Sequence, residues 1–151
     1  MTMTLLNRIA ATLSAVGMIT LAMPHADAQA ADTGPKHKVV IQVSTSDPES
    51  QRVALNNTVN LQKYYGIDNV AIEVVAYGPG LSLLTDKSGQ AERVRSLLAQ
   101  DVQFSACGVT MKSIAKQTGK EPILLPGVKT VDAGVPRIME LQEQGWSYIR
   151  P

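Results

Sequence analysis

Between Lys38 and Ile149, short β-branched runs alternate with stretches of helical periodicity, and this alternation leaves the chain few folds to choose from. Lys38 to Ser44 contains Val39, Val40, Ile41 and Val43, a composition expected of a strand buried on both faces. Val70 to Tyr77, Val102 to Ala106, Val128 to Val131 and Trp146 to Ile149 read as four further strands. The first intervening helix starts with Asp47 (or Ser46) as cap, Pro48 in the first turn and Glu49 at the positive dipole end. It carries Ala54, Thr58, Leu61 and Tyr65 on one face and stops at Gly66. Gln90 to Gln100, Thr110 to Thr118 and Pro136 to Gln144 supply three more helices, the last two closed by Gly119 and Gly145. Gly78-Pro79-Gly80 and Leu125-Pro126-Gly127 are turns. Such a strand–helix order predicts a mostly parallel sheet with helices on both faces.

Five strands and four helices suit a flavodoxin-like three-layer α/β sandwich around a mostly parallel five-stranded sheet. Sites in that architecture gather at the carboxyl ends of the strands. Three segments project there: Ser44–Glu49, Tyr77–Ser82 and Cys107–Thr110.

Cys107, the only cysteine, ends the third strand where a helix begins. Backbone N–H groups and the positive end of a helix dipole favour thiolate over thiol at such a place, and the thiolate is the nucleophile. Val102, Phe104 and Ala106 share one face of this strand, while Gln103, Ser105 and Cys107 share the other. A polar face on an interior strand points to solvent, a subunit contact or a ligand. The competing reading is a small buried core residue.

The anion-binding candidates are the N–H groups of Gly108, Val109 and Thr110, with Gly78 and Gly80 in the neighbouring turn. The two turn glycines serve either chain reversal or close backbone approach to a small anion. Lys112 either helps hold an anion or is a solvated helix lysine. Asn56 and Asn57 sit mid-helix, where asparagine is a poor former. They are either locally satisfied or a polar pair supporting a loop or a second subunit. Trp146 and Tyr148 read as core or interface packing.

Residues 1–30 read as a secretory signal. Arg8 gives a positive start, Ile9 to Met23 is uncharged but short for a bilayer span, and Ala28-Gln29-Ala30 fits a cleavage site. Cleavage after Ala30, a flexible leader over 31–36 and a single domain over 37–151 follow, with the product exported to the periplasm and free of the membrane. Arg8 and Asp27 leave together, so the net charge stays at +1. A balance this close to neutral gives no electrostatic footprint for nucleic acid or anionic lipid.

Several chemistries are excluded by residue count. His25 leaves with the signal, and His37 precedes the first strand, at the opposite sheet edge from Cys107. A six-residue strand separates those edges by about 20 Å, at roughly 3.3 Å per residue, so no imidazole base reaches the thiol unless an oligomer supplies it. One Cys and one His cannot build an ordinary zinc site, so no metal is expected. A Cys-x5-Arg phosphate cradle fails because Ser113 stands at the sixth position. Ser44-Thr45-Ser46 lacks the glycine of a flavin phosphate loop, and no cofactor is expected. With so poor an acid–base inventory, a carrier or binding role is favoured over a turnover enzyme. A further reading is an anion- or nucleotide-binding domain that uses the helix starts at Asp47 and Thr110.

Ala54-Leu55-Asn56-Asn57, Val74-Val75-Ala76-Tyr77-Gly78-Pro79-Gly80, Phe104-Ser105-Ala106-Cys107-Gly108 and Gly145-Trp146-Ser147-Tyr148-Ile149-Arg150-Pro151 resemble, in order, the DsrE/DsrF-like family. The closest likeness is to its small, exported, single-domain branch, and it covers essentially the whole of 37–151. The branch often carries a polar residue where Val109 stands. The resemblance implies a DsrE-like version of the flavodoxin-like fold, assembly into homo-oligomers (trimers or hexamers), and sulfur relay with a donor or acceptor protein. Cys107 would then carry persulfide. The alternative is a non-catalytic oligomeric binding or assembly module with a structural cysteine.

Overall fold

The computed structural model describes residues 34–151. The expected signal peptide, its cleavage site after Ala30 and the first half of the 31–36 leader lie outside the described residues. Five strands form one sheet in the order β4-β3-β2-β1-β5, and every pairing is parallel. They are β1 (His37–Val43), β2 (Val70–Ala76), β3 (Gln103–Cys107), β4 (Lys129–Val131) and β5 (Ser147–Ile149). The helices are α1 (Pro48–Tyr65), α2 (Ala91–Leu98), α3 (Gly108–Thr118) and α4 (Gly134–Glu143). The α/β three-layer class expected from the alternation is the one observed.

Local chemistry sets the boundaries of α1. The Asp47 carboxylate accepts the Ser50 N–H at 2.7 Å, Pro48 occupies the first turn, and Gly66 ends the helix at φ 87°. Ala54, Leu55 and Thr58 face the sheet, and the Thr58 hydroxyl returns to the Ala54 carbonyl at 3.1 Å. The Gly78-Pro79-Gly80 turn continues as a 3-10 helix over Gly78–Leu84, because Leu81, Leu83 and Leu84 anchor it in the core.

The connections from β1 to β4 step across the sheet in one direction. Right-handed crossovers therefore place α1, α2 and α3 on one face. The main core lies there, built on Val39, Ile41, Ile72, Val74, Phe104 and Ala106. The last connection runs back from the β4 edge to β5, beyond β1, so α4 lies on the opposite face. Ile138 and Leu141 of α4 pack there on Val40 and Val75, with Tyr77 and Trp146 at the margin. Gln42, Glu73, Ser105 and Cys107 share this second, more polar face, as the alternation along β3 predicts.

Candidate functional site around Cys107

Cys107 is the last residue of β3 and the N-cap of α3. Its side chain turns toward the face covered by α4, whose first residue is Gly134. A β-carbon added to Gly134 would stand 3.3 Å from Cys107 Cβ and 3.1 Å from Tyr77 Cβ. A β-carbon on Gly108 would stand 3.0 Å from the Val131 carbonyl. Two glycines thus let the start of α4 and the end of β4 close over the sulfur. A hydrogen bond from the Val109 N–H to the Asp132 carbonyl (3.2 Å) ties the start of α3 to the β4–α4 connection.

The sulfur therefore sits at the N-termini of two helices. Burial pushes the thiol up, since it leaves the residue only 5% exposed. The Thr110 hydroxyl and the N–H groups of Thr110, Gly134 and Val109 act in the opposite sense, and together they hold the thiol below its ordinary value. As a neutral thiol the side chain makes no closed capping bond; these donors gain most once the sulfur is charged.

Thr110 has a double role. Its Oγ1 accepts the Gly78 N–H at 2.9 Å. The same hydroxyl favours the thiolate form of Cys107. The Gly-Pro-Gly turn thus reaches the thiol through Thr110. The Gly78 N–H is used by Thr110, and the Gly80 N–H donates to the Tyr77 carbonyl at 3.1 Å. A β-carbon on Gly80 would lie 2.2 Å from the Val43 carbonyl, so this glycine serves close chain packing.

Other expected neighbours stand elsewhere. The Asp47 helix start does not flank the thiol, because β2 separates β1 from β3 while β4 adjoins β3. Gly134 fills that flank instead. Asn56 accepts from Arg93 at 2.9 Å, tying α1 to α2, and Asn57 lines a groove beside Tyr64. Both belong to the helical layer across the sheet from Cys107 and give the thiol no direct support. Lys112 is exposed on α3. His37 stacks on Tyr65 at 3.8 Å, at the far end of the sheet. Among the described residues, no three metal-ligating side chains cluster.

One set of polar residues was not foreseen. Glu73, 1% exposed on β2, receives Arg137 Nε at 3.0 Å and Nη2 at 2.8 Å, and the Ser105 hydroxyl at 2.7 Å. Ser105 precedes Cys107 by two positions on the same face. The signal was a lone carboxylate inside the apolar run Val70–Ala76.

No family model matches the chain, and neither does any curated protein. Among solved structures, MTH1491 from Methanobacterium thermoautotrophicum, described as a protein of unknown function, is 35% identical. The match covers 76% of this chain and 99% of that one, with a TM-score of 0.68. This chain belongs to the MTH1491 family. The ychN protein from E. coli shares the fold at 14% identity and TM-score 0.58, covering 78% of this chain and 99% of that one. BT1422 from Bacteroides thetaiotaomicron does so at 16% identity and TM-score 0.54, over 76% and 94%. In this MTH1491-family chain the thiol, the two helix starts and the Thr110 hydroxyl form one continuous site.

Proposed function

We propose that this chain is a DsrE/DsrF-like sulfur carrier that holds sulfane sulfur on Cys107. In this reading it is exported to the periplasm, loses its signal after Ala30 and works as a homo-oligomer, a trimer or hexamer, with a sulfur donor or acceptor protein. The observation that carries the reading is the place of the thiol, which caps α3 and lies against Gly134 at the start of α4, with the Thr110 hydroxyl and the Thr110 and Gly134 N–H groups favouring its charged form. Such a cradle stabilises negative sulfur without a neighbouring base. In loading, the Cys107 thiolate attacks the outer sulfur of a donor persulfide or polysulfide. A new S–S bond forms to Cys107, the donor's S–S bond breaks, and the donor leaves as a thiolate. No external oxidant is needed, and the same donors then face the terminal persulfide anion.

Incubation of the native protein with inorganic polysulfide, followed by mass spectrometry, tests this. One sulfur atom should appear on Cys107 and be removed by a reducing thiol. A second reading rests on the 5% exposure of Cys107: a non-catalytic oligomeric module with a structural cysteine. It is the one that stands if native Cys107 takes up neither sulfur nor iodoacetamide at neutral pH and reacts only after unfolding.

A further inference from the structure

We infer that the buried Glu73–Arg137 pair is a positioning clamp that fixes the start of α4 against the Cys107 sulfur. The inference rests on Cys107 being the reacting thiol. It is drawn from the packing of α4, not from the sulfur-carrier reading.

A carboxylate at 1% exposure in a central strand is costly, and an apolar pair of similar volume holds a fold as well or better. Stability alone does not account for it. The geometry gives it a specific task. Arg137 lies three residues after Gly134, in the first turn of α4. Its guanidinium grips Glu73 on β2 with two bonds, and Glu73 in turn receives Ser105 on β3. The first turn of α4 is thereby pinned to β2, which leads into Tyr77, and to β3, which ends in Cys107. A two-bond fork fixes rotation as well as distance.

Few other directional contacts hold the helix itself: the Val109 N–H to Asp132 carbonyl bond fixes the chain two residues before Gly134, outside α4. Ile138 and Leu141 hold α4 by apolar packing, which is non-directional. The N-cap, Ala133, makes no side-chain capping bond. The Gly134 N–H, one of the donors around the sulfur, therefore takes its aim from Arg137. The other charged side chains on the adjoining segments, Lys112, Asp132 and Glu140, are solvent-exposed.

The test titrates the thiolate by its ultraviolet absorbance, subtracting Cys107→Ser. Cys107 is the only cysteine, so the signal reports one group, without a sulfur donor or reagent access. Failure of persulfide loading and failure of the clamp are thus separate results. Three variants are compared: Glu73→Gln, Arg137→Lys, and the apolar pair Glu73→Leu with Arg137→Met. Removing the Glu73 charge leaves Arg137 with only the exposed Glu140 carboxylate, at 3.5 Å, as counter-ion, and by Coulomb attraction alone this gain of positive charge raises the thiolate fraction. The clamp predicts the reverse, a fall of about tenfold at a fixed pH below the wild-type midpoint. Arg137→Lys keeps the charge but loses the fork, and should move in the same direction. Should one variant fail to fold, the others carry the same decision, because the apolar pair leaves no buried charge unpaired. A folded Glu73→Gln or apolar-pair variant with an unchanged or increased thiolate fraction overturns the clamp.

Discussion

Gly134→Ala places the site under a calculable strain. The new β-carbon meets Tyr77 Cβ and Cδ1 at 3.1 Å and Cys107 Cβ at 3.3 Å. Favourable carbon–carbon contacts lie at about 3.5–4.0 Å, so three pairs fall short by several tenths of an ångström. Neither Cys107 nor Tyr77 can retreat freely at Cβ, since both are fixed to strand ends. The start of α4 must move outward. Overpacking of this kind costs about 1–3 kcal/mol. Against it stands about 0.4–1 kcal/mol gained by stiffening the unfolded chain. The net loss is therefore about 0–2.6 kcal/mol, centred near about 1.3 kcal/mol, and the Gly134 N–H retreats from the sulfur. Gly89→Ala, with open space around the new carbon, is the control and should keep only the unfolded-chain gain, about 0.4–1 kcal/mol. Urea unfolding gives the stability term, and the pH dependence of iodoacetamide alkylation gives the thiolate term. Gly134→Ala should have the lower unfolding midpoint and an alkylation profile displaced to higher pH. If it matches Gly89→Ala in both, the claim that α4 seats its first residue directly on Cys107 is wrong.

Two further outcomes follow from the same geometry. Thr110→Val strands the Gly78 N–H and removes a donor from the sulfur, so it should cost about 1–3 kcal/mol and slow alkylation at neutral pH; Thr110→Ser should restore both, and a Val variant that alkylates like wild type would refute the hydroxyl's role. The pH dependence has a definite sign. The folded thiol is held low, so its stabilising contribution is complete above the unfolded thiol's pKa, about 8.5, and is lost as pH falls through the folded value. The stability difference between wild type and Cys107→Ser should grow from neutral pH toward about pH 9, and denaturant melts showing a flat difference would contradict it.

What could be read from the residues divides along physical lines. Asp47, Pro48 and Gly66 act on their own neighbours, so both ends of α1 were legible. The pleat of β3 likewise assigned Phe104 and Cys107 to opposite faces without reference to the rest of the fold. The sequence pattern puts the start of α4 at Pro136, yet the helix begins at Gly134. Proline fits anywhere in a first turn, because the N–H groups there lack helical partners anyway. That shift of two residues hid Gly134, the donor that α4 brings to the site. Glu73 was hidden for another reason. Its partner Arg137 is 64 residues away, and only the return of the last crossover over the second face brings them together. A buried charge announces that a partner exists but not where it stands.

The sheet's two rims, β4 and β5, are only three residues long. A stray extended chain arriving at either rim finds just a few open amide and carbonyl positions, too short a template for ribbon growth. The fold is thus guarded against edge-to-edge stacking.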